Sequence, residues 1–346
     1  MVRDFSTAHP FEFRGSGGEY FRIWIVNLAL SIITLGIFSA WAKVRTKRYF
    51  SGSTYVAGHN FEYHASGYRI LIGRIIALSL LLAYQLSVVF VKPLLIIWFL
   101  LGLFVVPWLI ISSIRFNARN TSYRNVRFNF SGTDGEAFGA FIGWPFLGVI
   151  TLGLLWPLAQ KKKEYFLVNN HNYGGRYFET DFSVWNMYAI FALALVAFLI
   201  VGGGLVALTA SQLSHALFTP GLQNRQLFTG LAMVVVYVPL LLIAPFVHTM
   251  IVNLVVGSTV FDDKHQLQST MSPFVMAWIM VSNVFLTIIT LGLFYPWAKV
   301  RAARYQLEHT TLFIEGEVET YVSEVFETQS AVGEEIGSFF SFDFGL

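Results

Sequence analysis

The chain has 346 residues, 55% of them hydrophobic and 12% charged, with a formal net charge of +3. Soluble domains carry about 25% charged residues, so an ordinary soluble fold is excluded. Cysteine is absent, which excludes disulfides, thiolate metal ligands and cysteine nucleophiles.

In chain order, residues 1–20 mix acids, bases, glycines and aromatics without an apolar run. No cleaved signal peptide is expected there, and the mature chain is expected to begin near Met1. Residues 11–14 alternate apolar and polar side chains, as do 61–64, 126–130 and 312–322. Such alternation, rich in Phe, Tyr and Val, reads as short strands, expected to meet in a small cytoplasmic sheet beneath the helices. Gly15-Ser16-Gly17-Gly18 follows the first strand but lacks the spacing and partners of a nucleotide fingerprint.

A helix needs about 20 mostly apolar residues to cross a bilayer. Four runs meet that need: 70–91, with Arg74 near its start, 93–114, 185–211 and 228–256. Short connections make them two antiparallel hairpins. Gly202-Gly203-Gly204, Pro239 and Pro245 are expected to mark kinks, more simply as packing devices than as breaks lining a substrate path.

Between these spans a second kind of element recurs. Ile32-Ile33-Thr34-Leu35-Gly36 returns as Ile288-Ile289-Thr290-Leu291-Gly292, and Trp41-Ala42-Lys43-Val44-Arg45 as Trp297-Ala298-Lys299-Val300-Arg301. Asn27 falls on Asn283 and Tyr49 on Tyr305. A weaker middle copy has Thr151-Leu152-Gly153, then Lys161, Lys162 and Lys163. Pro107 and Pro245 precede matching polar stretches that lead into Ser131 and Ser269. The unit is one Thr-Leu-Gly element plus two spans: repeat 1 over about 11–127, repeat 2 over about 128–268 and a partial repeat 3 over about 269–305. Residues 1–305 form the multispanning domain. Residues 306–346 form an acidic tail, since no Lys or Arg follows Arg304.

The segment Phe11-Glu12-Phe13-Arg14-Gly15, with Ile-Thr-Leu-Gly and Trp-Ala-Lys-Val-Arg, resembles the YjgN-like family of bacterial inner-membrane proteins, which shares domain of unknown function 898. The resemblance covers nearly the whole chain. It implies a multispanning inner-membrane protein and brings no catalytic or ligand-binding residues. The middle copy departs from it, with Leu158 and Gln160 in place of Trp and Lys.

Charge sets the expected orientation, because Lys and Arg flanking membrane segments stay cytoplasmic. A seven-span topology, as in inverted-repeat transporters, leaves Arg3, Arg14, Arg22, Lys92, Lys161, Lys162, Lys163, Arg176 and Lys264 outside. Four spans with three returning Thr-Leu-Gly elements leave only Lys92 and Arg225 outside. The returning arrangement fits better, although the first element's charge-free run is long enough to span. Pro157 and Pro296 would open the returning helices. Trp41, Lys43, Arg45, Lys161, Lys162, Lys163, Trp297, Lys299 and Arg301 would form an interfacial basic and aromatic motif toward anionic headgroups.

The chain offers few chemical groups. None of the eight histidines has a metal-ligand spacing. His59-Asn60-Phe61 and His171-Asn172-Tyr173 read as a repeated turn, and His248 as a histidine bonded to a carbonyl near a helix end. Asn27, Thr34, Asn283 and Thr290 are either a packing clasp between helices or, on a sharper reading, the lining of a central path. No nucleophile elbow, phosphate loop or paired carboxylate within a span is present, so no enzymatic activity, cofactor or metal is expected. Lipid headgroups are the expected partners rather than nucleic acid.

The expectation is an all-α polytopic membrane protein with internal repeats and short cytoplasmic strands, in the bacterial inner membrane, with its C-terminus cytoplasmic. Small-solute transport is the favoured activity, and an envelope or lipid-interacting scaffold the alternative.

Overall fold

The computed structural model, which describes residues 7–90, 94–218 and 221–316, arranges the apolar runs and the basic segments that follow the Thr-Leu-Gly turns as helices in five pairs. The first pair is α1 (Gly17–Ile33) and α2 (Ser39–Ser53), the second α3 (Gly67–Phe90) and α4 (Leu94–Arg119). The third starts as α5 (Asp134–Phe138), passes through a π-turn at Gly139–Gly143 into α6 (Trp144–Ile150), and returns as α7 (Trp156–Asn169). The last two pairs are α8 (Val184–Phe218) with α9 (Leu222–Gly257), and α10 (Pro273–Ile289) with α11 (Tyr295–Glu308). Ser16 and Thr133 each close a capping box with a glutamate three residues on, and Ser272 accepts from the Val275 amide; such caps satisfy otherwise orphaned amides. Helices α8 and α9 run unbroken through the glycine triplet and the two prolines. A Cβ on Gly202 would sit 3.9 Å from Pro239 Cγ, an ordinary contact, so α8 and α9 face each other there without a clash that demands glycine.

Each Thr-Leu-Gly segment is a helix stop followed by reversal. Thr34 Oγ1 donates to the Leu30 carbonyl at 2.7 Å and accepts from the Phe38 amide at 2.9 Å. Thr290 repeats both bonds with Leu286 and Phe294, and Thr151 with Leu147 and Leu155. The following Leu and Gly are left-handed, with φ of +50° and +92° at Leu35 and Gly36, +51° and +92° at Leu152 and Gly153, and +51° and +91° at Leu291 and Gly292. Gly36, Gly153 and Gly292 then donate back five residues, closing a Schellman cap. The leucines at these tips are 94%, 96% and 94% exposed.

Eleven strands form one antiparallel sheet: β1 (Thr7–Pro10), β2 (Glu12–Phe13), β3 (Thr54–Val56), β4 (His59–Tyr63), β5 (Thr121–Tyr123), β6 (Val126–Phe130), β7 (His171–Tyr173), β8 (Arg176–Thr180), β9 (Thr259–Phe261), β10 (His265–Ser269) and β11 (Thr310–Ile314). The order is β1-β11-β10-β9-β8-β7-β6-β5-β4-β3-β2. Only Phe11 separates β1, which pairs with β11, from β2, which pairs with β3. Its amide donates to the Thr310 carbonyl at 2.9 Å, so the sheet curls into a near-closed barrel. The expectation of an all-α protein with short strands is overturned by this sheet. Isolated two- and three-residue strands have no alternation to read, and their pairing joins segments far apart in sequence. Of the expected strand at 312–322, Thr310–Ile314 is strand and the part beyond 316 lies outside the described residues.

Tight turns link the strands at one end of the barrel. Ala57-Gly58, Arg124-Asn125 and Gly174-Gly175 each join two strands with both central residues at positive φ, the type I′ geometry that suits strand twist. Asp262 and Asp263 do the same within a three-residue loop. The helix pairs leave from the other end. The strand before each pair lies beside the strand after it, so every pair starts and ends at the barrel. Helix α1 is 17 residues long and α3 is 24; a difference of 7 residues leaves the first tip about 10 Å short of the second.

Substantial contacts between pairs join chain neighbours, α2 with α3, α4 with α5, α7 with α8 and α9 with α10, and also the two ends of the chain, α11 with α1. The helices thus stand in a closed ring over the barrel mouth. Ten positions spaced about 9 Å apart give a ring of about 15 Å radius. Helix bodies about 10 Å thick leave an interior about 10 Å in radius.

Candidate functional site

The barrel interior is built from one cross-strand pair per module. The pairs are Phe61 with Tyr123, Phe128 with Tyr173, Phe178 with Phe261, and Leu267 with Leu312. The Glu12–Tyr55 register places Phe11 beside Val56 as the fifth. Inward-facing alternation in each strand produces this layer. These ten residues, with His265 and Ile314, enclose a wholly apolar cavity of about 280 Å³. Tyr123 donates its hydroxyl to the Val56 carbonyl at 2.8 Å, and Tyr173 to the Tyr123 carbonyl at 2.9 Å. Burial raises both phenol pKa values, and in Tyr123 Arg124 opposes the rise. His265 accepts from the Glu315 amide at 3.2 Å, and burial lowers its pKa. A dry cavity of this size takes an apolar group and offers no chemistry.

A second feature fixes the helices to the barrel. In every module the carbonyl two residues past the strand accepts a hydrogen bond from the returning helix of that module. Arg48 reaches Ala65 at 3.2 Å, Arg115 reaches Gly132 at 3.1 Å, Lys161 reaches Phe182 at 2.5 Å, Asn253 reaches Met271 at 2.8 Å and Arg304 reaches Gly15 at 2.7 Å. Arg48 and Arg115 also bond to the strand ends, Tyr63 and Phe130. Arg48 and Arg304 sit seven residues beyond Trp41 and Trp297, but nothing in the sequence shows which carbonyl they meet.

The residues singled out in the sequence fall into three settings. Asn27 is buried and accepts from Arg45 at 3.0 Å. Asn283, also buried, accepts from Arg301 at 3.4 Å and donates to the Ala298 carbonyl at 3.0 Å. Each asparagine therefore joins the two helices of its own pair. Thr34 and Thr290 belong to the reversals. Trp41 and Trp297 pack on the first residue of the following helix pair: a Cβ on Gly67 would come within 2.6 Å of Trp41, and one on Gly17 would meet Trp297. The middle copy has Leu158 for the tryptophan, and Val184 where the others have glycine. Lys162 lies 5.8 Å from the Trp144 ring and Lys163 pairs with Glu164 at 3.3 Å. Lys43 and Lys299 are half-buried, and burial lowers both their pKa values.

The histidines are dispersed. His59 opens the second strand of its hairpin and His171 the first of another, so the expected shared turn is two different places. His171 bonds to the Leu167 carbonyl at 2.5 Å, and burial lowers its pKa against that bond. His248 is exposed on α9.

A family model described as "Bacterial protein of unknown function (DUF898)" matches residues 8–339. The chain is 24% identical to the inner membrane protein YjgN of Escherichia coli O157:H7 and to that of strain K12, in both cases with 88% of each chain covered. It is 23% identical to the inner membrane protein YjgN of Salmonella typhimurium strain LT2, with 87% of this chain and 88% of the relative covered. No solved structure matches.

Proposed function

The chain belongs to the DUF898 family of bacterial proteins of unknown function, and from that premise we propose that it is a lipid-holding scaffold of the inner membrane. The relatives are inner membrane proteins. Four helices, Gly67–Val88, Leu94–Arg119, Val184–Gln212 and Gln223–Gly257, are long and apolar enough to cross a bilayer. One observation carries the reading: those helices expose apolar side chains on nearly all sides. A water-filled path needs a polar wall, whereas hydrocarbon on both the outer and inner faces of the ring satisfies these surfaces. The ring then holds acyl chains, and the barrel stands beneath as a rigid base.

Orientation follows from charge. Most Lys and Arg lie on the barrel side, including the basic segments after the three Thr-Leu-Gly tips, whereas Arg225 stands near the far ends of α8 and α9. The positive-inside rule puts the barrel in the cytoplasm. The basic and aromatic segments then meet anionic headgroups. No catalytic step is assigned.

The decisive measurement is phospholipid retained per chain after exchange into a mild uncharged detergent. Several lipids should survive size-exclusion chromatography, and the melting temperature should fall when they are stripped. A lipid-free protein with unchanged melting temperature overturns the reading. The closed ring favours a second one, passage of a small solute through its interior. Proteoliposome flux sensitive to Asn27→Ala and Asn283→Ala would establish passage. Single cysteines at Lys162 and Gln223 test the orientation: impermeant reagent added from the periplasm should label only position 223.

A further inference from the structure

Three lysines stand on the inner wall of the ring just above the barrel mouth. Lys43 and Lys47 lie one turn apart on α2, with Phe50 on the same face, because residues three and four apart on a helix are neighbours. Lys299 of α11 reaches past α1, so that its Nζ lies 4.9 Å from the centre of the Phe50 ring and 5.7 Å from Tyr20. Lys47 reaches past α3 to donate to Asn117 of α4, with its Nζ 5.1 Å from the Tyr63 ring. In a ring of helices, members two places apart approach each other only on the concave side, so both ammonium groups point inward. Tyr63 fixes the height. It ends β4, two residues beyond Phe61 of the barrel cavity, and therefore marks the rim.

These lysines are not ordinary topology anchors, whose heads extend outward to the interface. Among the described residues none of the three has a carboxylate within ion-pair distance. The neighbours of Lys47 and Lys299 are ring faces and one amide, which favour a cation weakly. Lys43 and Arg74 repel, and Lys47 feels both Lys43 and Lys299. Like charges gathered in a partly buried place cost free energy until an anion joins them.

We infer that Lys43, Lys47 and Lys299 form a binding site for a phosphate-bearing anion, with the apolar ring above them fitted to the acyl chains of a phospholipid carrying that phosphate. The lipid half of this inference rests on the scaffold reading; the phosphate half stands on the lysines alone. A soluble phosphate has the same headgroup chemistry and no tail, and experiment separates the two sources. The chain's own acidic tail is a different occupant. Gly316, the last described residue, follows β11, which runs away from the helices, and so stands at the turn end of the barrel, opposite the lysines.

The test uses the full chain in nanodiscs of phosphatidylcholine, whose phosphate is neutralised by its own choline, with and without phosphatidylglycerol. Trace acetylation of Lys47 and Lys299 is followed by peptide mass spectrometry, with Lys264 of the barrel turns as internal reference. Phosphatidylglycerol should slow both lysines about tenfold, as nine-tenths occupancy requires, and leave Lys264 unchanged. The same slowing by inorganic phosphate in phosphatidylcholine discs keeps the anion site and assigns it a soluble ligand. No slowing by either overturns the site. Lysines that are already shielded, and become reactive when residues 317–346 are removed, also overturn it, because the anion is then the protein's own. Lys47→Gln and Lys299→Gln provide a second readout: co-purified phosphatidylglycerol should fall relative to total lipid, with the total retained. Retained lipid without any headgroup preference in the unaltered chain defeats the lipid half of the inference and leaves the scaffold reading in place; a lipid-free chain defeats the scaffold reading first.

Discussion

Trp41 and Trp297 each close the joint between two neighbouring helix pairs. Their recurrence is visible from spacing alone, but their partners Gly67 and Gly17 lie on other elements, and only the fold makes the pairing legible. Adding a methyl at Gly67 forces Trp41 to move, and overpacking of this kind costs about 1–3 kcal/mol. Gly67→Ala should therefore lower the melting temperature, whereas Gly18→Ala, with open space at its Cβ position, should not. Tyr123→Phe removes the hydroxyl bond to the Val56 carbonyl inside an apolar barrel and should cost about 0.5–1.5 kcal/mol in a denaturant titration. Lys47 supplies a pH dependence. Burial, with Lys43 and Lys299 adding repulsion, depresses its pKa to about 8; Tyr63, raised to about 12, and the amide of Asn117 also face it. The folded state thus holds fewer protons than the unfolded one between that value and the ordinary lysine range. The penalty is complete below about pH 8 and fades as pH rises above it. Lys47→Met should accordingly stabilise more at pH 7 than at pH 10, read as the difference in melting temperature from the unaltered chain.

At the scale of elements, the four long apolar helices are the most legible part, because hydrocarbon demands long uncharged runs; the charge-free run of the first Thr-Leu-Gly element mimics one in length. The Thr-Leu-Gly segments are legible as repeats, whereas their reversal follows from strand pairing at both ends. Strands such as Thr54–Val56 are too short for alternation to register. The turn residues between them, Gly174-Gly175 above all, were the available signal. The returning tips yield a prediction. Leu35, Leu152 and Leu291 are almost fully exposed at a height where α3 continues, and on the proposed placement of the ring they face hydrocarbon. A central Arg costs about 2.5–3.5 kcal/mol in a membrane helix, and Leu35→Arg should reduce the amount of folded protein recovered from membranes. Tips lying in water would tolerate the change. A cysteine in place of Leu35 should likewise resist impermeant maleimide from both sides.

For the whole molecule, the near-closed sheet is what sequence reading missed most fully, since its register joins residues as distant as Thr7 and Ile314. No local pattern encodes such a closure. Removing residues 317–346 leaves every described strand in place and should preserve a monodisperse protein in detergent. Ending the chain before Thr310 removes the strand that joins β1 to β10 and exposes two unpaired edges. That shorter chain should aggregate, as judged by light scattering of the detergent-solubilised protein.

The single-residue break at Phe11 also sets an order of events during synthesis. The first strand leaves the ribosome with its ladder partner still about three hundred residues away. Each helix pair must therefore be made while the base below it is still an open ribbon. Residues 310–314 act as the latch that turns that ribbon into a hoop, and until they arrive the nascent protein carries one sticky margin at each end.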